Sequence, residues 1–162
     1  MEIGVISDTH DDLETARKAI EFLETRVDTV LHCGDMVAPF TAQLFDREFD
    51  FYAVRGNNDG EWNLKSTVEE FGEFFNNVAE LELEDEKIAV YHGTEESIAD
   101  ALVTSGRYDY VFRGHTHEKK LREFNGTVEV NPGGIPIPGA EEEFHVATVD
   151  LSDGDVEFHE VD

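Results

Sequence analysis

At 162 residues, with 38 acidic side chains against 12 basic ones and a formal net charge of −26, the chain has the length of one domain and an unusual excess of carboxylates. That charge argues against a groove for a nucleic-acid backbone, which needs a basic stripe, and no apolar run is long enough for a membrane-spanning helix. A single cysteine, Cys33, precludes an internal disulfide, and Ile3 to Ile6 is too short and lacks the basic flank of a signal peptide, so a reducing, cytoplasmic setting is expected.

Strands and helices alternate from the start. Glu2 to Ile6 is a short β-branched run, predicted as a strand; Asp11 and Asp12 follow as helix caps, and Leu13, Ala16, Ile20 and Leu23 recur at helical spacing. Val27 to Leu31 repeats the strand signal, Pro39 opens a second helix through Phe45, and Phe49 to Val54 gives a third strand. This order implies a parallel, buried sheet. Trp62 to Phe74 reads as part helix and part loop. Beyond it, Val78 to Leu83 and Lys87 to Tyr91 flank a turn at Asp85-Glu86, Ile98 to Val103 has helical spacing, and Tyr108 to Phe112 is strand-like. Leu121 to Phe124 and Thr127 to Val130 flank Asn125-Gly126, a strong hairpin signal, and His145 to Leu151 pairs with Val156 to Val161 around Ser152 to Asp155. With no repeat or linker, residues 1–162 read as one α/β domain. The expected architecture is a four-layer α-β-β-α sandwich, two mixed sheets face to face with helices outside.

The carboxylates are spread over the whole length, from Glu14 and Glu21 to Glu141 and Glu160, rather than gathered in a tail. Such a surface suits concentrated salt, whose ions screen its self-repulsion, and a halophilic archaeal source is expected.

Five polar clusters stand where predicted strands end: Asp8-Thr9-His10, Gly34-Asp35, Gly56-Asn57-Asn58-Asp59, His92-Gly93 and Gly114-His115-Thr116-His117. Ligands of α/β sheets gather at the carboxyl ends of strands, so clusters far apart in sequence can converge there. Asp, Asn and His form a mixed oxygen and nitrogen set suited to manganese, iron, zinc, nickel or cobalt, and the lack of thiolates argues against a structural zinc knuckle.

The set D-x-H, G-D, G-N-x-D, H-G and G-H-T-H, in this order from Asp8 to His117, resembles the calcineurin-like metallophosphoesterases. The short chain and the Asn131-Pro132-Gly133 stretch are most similar to the small YfcE-type phosphodiesterases. The resemblance implies two divalent ions, manganese first among the candidates. Asp8, His10, Asp35 and His117 would surround one, and Asp35, Asn57, His92 and His115 the other, with Asp35 shared. It further implies a small phosphate-ester substrate attacked by hydroxide held between the ions, with Asp35, Asn58 and Asp59 as the catalytic residues. A phosphodiester is the expected substrate, a phosphomonoester the nearest rival, and a non-catalytic metal-binding scaffold the rival from another class. A homo-oligomer is compatible with the resemblance.

Two positions depart from the family pattern. Asn58 stands where a histidine is common, and Asn cannot deliver a proton, so good leaving groups are favoured. Gly134 replaces the usual serine of N-P-G-S. Outside the clusters, His32, His145 and His159 read as packed residues, His32 close enough to Asp35 to support it. Arg55 and Arg113 are expected to pair with surface carboxylates, and Phe71, Phe74 and Phe75 to be core.

Overall fold

The computed structural model describes residues 1–161; Asp162, the last residue of the expected domain, lies outside the described residues. Four strands, β1 (Glu2–Ile6), β2 (Thr29–His32), β3 (Asp50–Val54) and β4 (Glu73–Phe75), run parallel. Their crossovers carry α1 (Leu13–Leu23), α2 (Pro39–Ala42, continued by a 3-10 turn over Gln43–Phe45) and α3 (Leu64–Val68). Antiparallel β10 (His145–Asp150) and β11 (Asp155–Glu160) complete a sheet of order β11-β10-β1-β2-β3-β4. The second sheet, β5-β6-β7-β9-β8, is built from β5 (Val78–Leu83), β6 (Glu86–Tyr91), β7 (Tyr110–Phe112), β8 (Lys119–Phe124) and β9 (Thr127–Pro132). Helix α4 (Glu96–Thr104) lies in the crossover from β6 to β7.

Three apolar clusters define four layers. The first joins Ile20 and Leu23 of α1, Leu64 and Val68 of α3, and Phe45 to Ile6, Val30 and Phe51 of the first sheet. A second fills the space between the sheets, with Ile3, Val5, Leu31 and Val54 facing Ile88, Val90, Phe112 and Val130. Ala89 and Val111 on the far face of the second sheet meet Val103 of α4 in the third. Central strands are therefore buried on both faces, which is why they read as continuous apolar runs.

Local chemistry sets the boundaries. Asp12 caps α1 by accepting from the Thr15 N–H at 3.1 Å, and Gly4 lets that helix approach, since a Cβ there would lie 2.8 Å from Leu23. Asp11, the other expected cap, is used elsewhere. The β5–β6 turn is Glu84-Asp85, not Asp85-Glu86: Leu83 pairs with Glu86, and both turn residues have positive φ, 52° and 68°. Two such residues give the twist a two-residue hairpin needs, as Asn125 and Gly126 do between β8 and β9. Trp62 to Phe74 contains a short helix, as expected, and also the start of edge strand β4. Phe74 is buried in the first cluster with Phe71 packed on it, and Phe75 packs against the core between the sheets.

Candidate metal centre

The carboxyl ends of β1, β2, β3, β6 and β7 lie along one edge of the sandwich, and each hands over to one of the five polar clusters. Two groups of ligand atoms meet there, each within 4.8 Å: Asp8 with His10 and His117, and Asp8 with Asp35 and His92. The backbone is strained at the same place. Asp8, His10, Asp35, His115 and His117 all have φ between 43° and 73°, a region non-glycine residues seldom enter. Such conformations cost of order 1 to 3 kcal/mol each and persist only where the surroundings hold them.

Asp8, His92 and His117 are each held by one atom and present another to the cluster. Asp8 Oδ2 accepts from the Ser7 hydroxyl at 2.6 Å and the His115 N–H at 2.9 Å, while buried Oδ1 has no hydrogen-bond partner. That oxygen faces His117 Nε2 at 3.4 Å, His10 Nε2 at 3.6 Å and His92 Nε2 at 3.8 Å. His92 Nδ1 donates to the Cys33 carbonyl and His117 Nδ1 to the Ile135 carbonyl, both at 2.7 Å. A ring nitrogen that donates to a carbonyl fixes the tautomer and leaves Nε2 as the coordinating atom. Asn57 Oδ1 lies 3.0 Å from His92 Nε2 and 3.1 Å from His115 Nδ1, so three ligand atoms converge there as well.

A cation answers the electrostatics of this cluster. Asp8 and Asp35 are 0% and 1% exposed, and burying charge without compensation is costly. Burial opposes ionisation of both carboxyls, yet the neighbouring histidines hold their pKa values below the ordinary carboxylate range. His10 is raised by Asp8 beside it; for His92, burial works against the charge, and Asp35 and Asp8 overcome it. His115 moves the other way, lowered by burial and by His92. A divalent ion held by the His10 and His92 nitrogens would supply that positive charge directly. With unpartnered Asp8 Oδ1 and His10 Nε2 both buried, the donor set fits divalent metal.

Asn58 and Asp59, two of the expected catalytic residues, both hydrogen-bond to Asp35. Asn58 grips Asp35: its backbone N–H donates to Oδ1 and its side-chain amide to Oδ2, both at 2.8 Å. Asp59 is 3% exposed, and its carboxylate accepts from the backbone N–H groups of Asp35 (2.8 Å), Val37 (2.8 Å) and Gly56 (2.7 Å). Three backbone donors thus occupy both of its oxygens. Among them is Val37, whose φ of 83° is an outlier for a β-branched residue.

Other supports were hidden from sequence reasoning. Asp11 takes the Ala38 N–H and the Thr41 hydroxyl, tying the β1–α1 loop to the β2–α2 loop. Asn131 donates to the Gly114 carbonyl and to Thr116, and so braces the loop bearing His115 and His117. Gly134 packs so closely that a Cβ would lie 2.5 Å from the Cβ of Asp8, which leaves no room for the family's serine as this loop stands. Gly56 and Gly114 are equally confined by Asp35 and by Ser7 with Asp8. His32 is buried, takes the Gly34 N–H at Nδ1 and meets the Thr9 hydroxyl at Nε2; burial pushes its pKa down to about 3. Arg113 pairs with Glu96 and Glu129, as expected of it, but in the interior, at 1% exposure.

Two mixed sheets lie face to face with Asp, Asn and His brought together at their shared edge, and the relatives of the chain make it a phosphoric ester hydrolase. The chain belongs to the calcineurin-like phosphoesterase superfamily, whose domain model matches residues 1–154. Phosphodiesterase MJ0936 of Methanocaldococcus jannaschii is 39% identical over 151 residues, which cover 86% of this chain and 91% of that protein. A solved structure of a novel archaeal phosphodiesterase superposes with a TM-score of 0.91 at 33% identity, over 99% of both chains. The phosphoesterase YfcE of E. coli shares the fold, with a TM-score of 0.69 at 17% identity over the full length of both.

Proposed function

We propose that the chain is a dinuclear phosphodiesterase, with Asp8, His10, Asp35 and His117 holding one divalent ion and Asp35, Asn57, His92 and His115 the other. The observation that carries this reading is the set of free ligand atoms on tethered side chains, above all Asp8 Oδ1, buried among three histidine Nε2 atoms with no hydrogen-bond partner. When bound, two such ions activate water as a nucleophile and neutralise charge developing on the phosphoryl oxygens. The carboxylate and amide oxygens suit manganese, and the imidazoles admit iron, zinc or nickel as well.

The chain's own residues prepare that site. Cys33 and Ile135 carbonyls keep His92 and His117 in the coordinating tautomer, and Asn58 orients both oxygens of Asp35. Asp59 holds the loop from which Asp35 projects. Asn58 carries no titratable proton, so the leaving group departs without a proton from that position, which favours esters of acidic alcohols. The phosphodiesterases among its relatives support diesters over monoesters.

The test is a matched pair of substrates with manganese at high salt, bis(p-nitrophenyl) phosphate against p-nitrophenyl phosphate. A higher kcat/KM on the diester is expected. Preference for the monoester contradicts the diesterase reading, and no metal-dependent turnover of either contradicts catalysis.

A further inference from the structure

The Asn131-Pro132-Gly133 stretch supplies none of the proposed ligands, yet it stands among them. Strand β9 runs parallel to β7, so its carboxyl end reaches the same edge as the five polar clusters. Proline confines the residue before it to extended backbone, and Gly133, at φ 93°, turns the chain so that its N–H donates back to Asn131 Oδ1 at 3.0 Å. Asn131 is thus fixed by its own segment, with its side chain fully buried.

Both hydrogens of that amide are used on the neighbouring loop. Nδ2 donates to the Gly114 carbonyl at 3.0 Å and to the Thr116 hydroxyl at 2.9 Å, which grips His115 from either side. Four residues further on, the Ile135 N–H donates to the Asp8 carbonyl at 3.1 Å, and the Ile135 carbonyl accepts from His117 Nδ1 at 2.7 Å. Between them Gly134 packs directly on Asp8 and His117. His115 and His117 have φ of 73° and 60°, conformations that persist only where the surroundings hold them. Residues 131–135 therefore touch Asp8 and His117, proposed for one ion, and the loop of His115, proposed for the other.

Resting on the dinuclear reading, we infer that residues 131–135 form a strap that sets the affinity for both ions, with Asn131 as its positioning residue. Asn131 acts through the loop that bears His115 and His117, and its loss weakens the two ions together.

Calorimetric titration of manganese into metal-free protein tests this without turnover. Asn131→Ala is expected to weaken both ions by about tenfold, the lower end of what the partners of metal ligands contribute. Thr116→Val, at an exposed position, removes one of the two acceptors and leaves the interior intact, and it is expected to weaken both ions in the same direction. Thr116→Ser restores the hydroxyl and is expected to bind as wild type does. Thr127→Val, at the other end of β9, removes a buried hydroxyl that donates to the Tyr108 carbonyl at 2.6 Å, and serves as the control for stability alone. The visible spectrum of cobalt(II)-loaded protein, which reports ligand geometry, is expected to change in Thr116→Val and not in Thr127→Val. Wild-type affinity in Asn131→Ala and Thr116→Val, a loss confined to one ion, or an equal loss in Thr127→Val overturns the inference. If Asn131→Ala does not fold, Thr116→Val and Thr116→Ser decide it. Fewer than two manganese ions bound by wild type would instead overturn the dinuclear reading, and the strap with it.

Discussion

The histidines show how one residue type is sorted by what its ring nitrogens meet. His92 and His117 each donate Nδ1 to a carbonyl and turn Nε2 toward Asp8, whereas His32 uses Nδ1 as an acceptor for Gly34 and is held neutral by burial. The motif spacing made the first two legible; nothing near His32 distinguishes it except its closeness to Asp35. Its depressed pKa has a consequence for stability. The folded pKa near 3 lies below the ordinary value of 6.5, so the unfolded chain binds the extra proton between those values. Stability from this residue is fully present above pH 6.5 and is lost as pH falls toward 3, by about 1.4 kcal/mol per pH unit. Denaturant unfolding of metal-free protein should therefore show a pH slope between 6.5 and 4 that is shallower by about one proton in His32→Asn. Equal slopes in the two proteins would contradict a neutral, buried His32.

Among the elements, those of the first third were readable because each central strand is apolar on both faces and each helix has one apolar stripe. Edge strand β4 was not, since Glu73-Phe74-Phe75 is three residues long and has only one strand neighbour, β3. Long-range braces were equally invisible. Arg113, at the end of β7, reaches Glu96 of α4 at 2.8 Å, Glu129 of β9 at 3.3 Å and the Gly93 carbonyl at 3.3 Å. It thereby clamps together the two loops that carry His92 and His115. Lys120 also pairs with Glu129 at 3.3 Å, and Arg122 comes within 2.7 Å of it at an angle outside hydrogen-bond geometry. Lysine cannot reproduce the planar fork that serves three partners. Arg113→Lys is expected to cost at least about 2 kcal/mol of unfolding free energy, because it leaves Glu129 less compensated in the interior. It should also raise the manganese concentration needed for half-maximal activity; wild-type stability and metal response would refute the clamp.

For the molecule as a whole, the fold class and the convergence of Asp8, His10, Asp35, His92 and His117 were legible because the carboxyl ends of the parallel strands concentrate the chemistry at one edge. Less visible was which way Asn58 and Asp59 point, a matter of loop conformations in which Asp35 and Val37 have positive φ. The net charge of −26 belongs to this scale too, since repulsion among 38 carboxylates acts over the whole surface. Salt shortens its range, to about 3 Å at 1 M. Melting temperature is therefore expected to rise from low to multimolar KCl, and an unchanged or falling value would remove the case for adaptation to salt.

The proposed sharing of Asp35 between two ions is the point most open to test, because the two converging groups of ligand atoms have Asp8 in common. Asn58 orients both oxygens of Asp35, Oδ2 lies 3.4 Å from His10 Nε2 and 3.3 Å from His92 Nε2, and the carboxylate is proposed to contact both ions. Anomalous diffraction from manganese-soaked crystals tests this directly. Two manganese peaks are predicted, both in contact with the Asp35 carboxylate, one also with His10 and His117 and the other with His92 and His115. A single peak, or two peaks with Asp35 bound to only one, would contradict it.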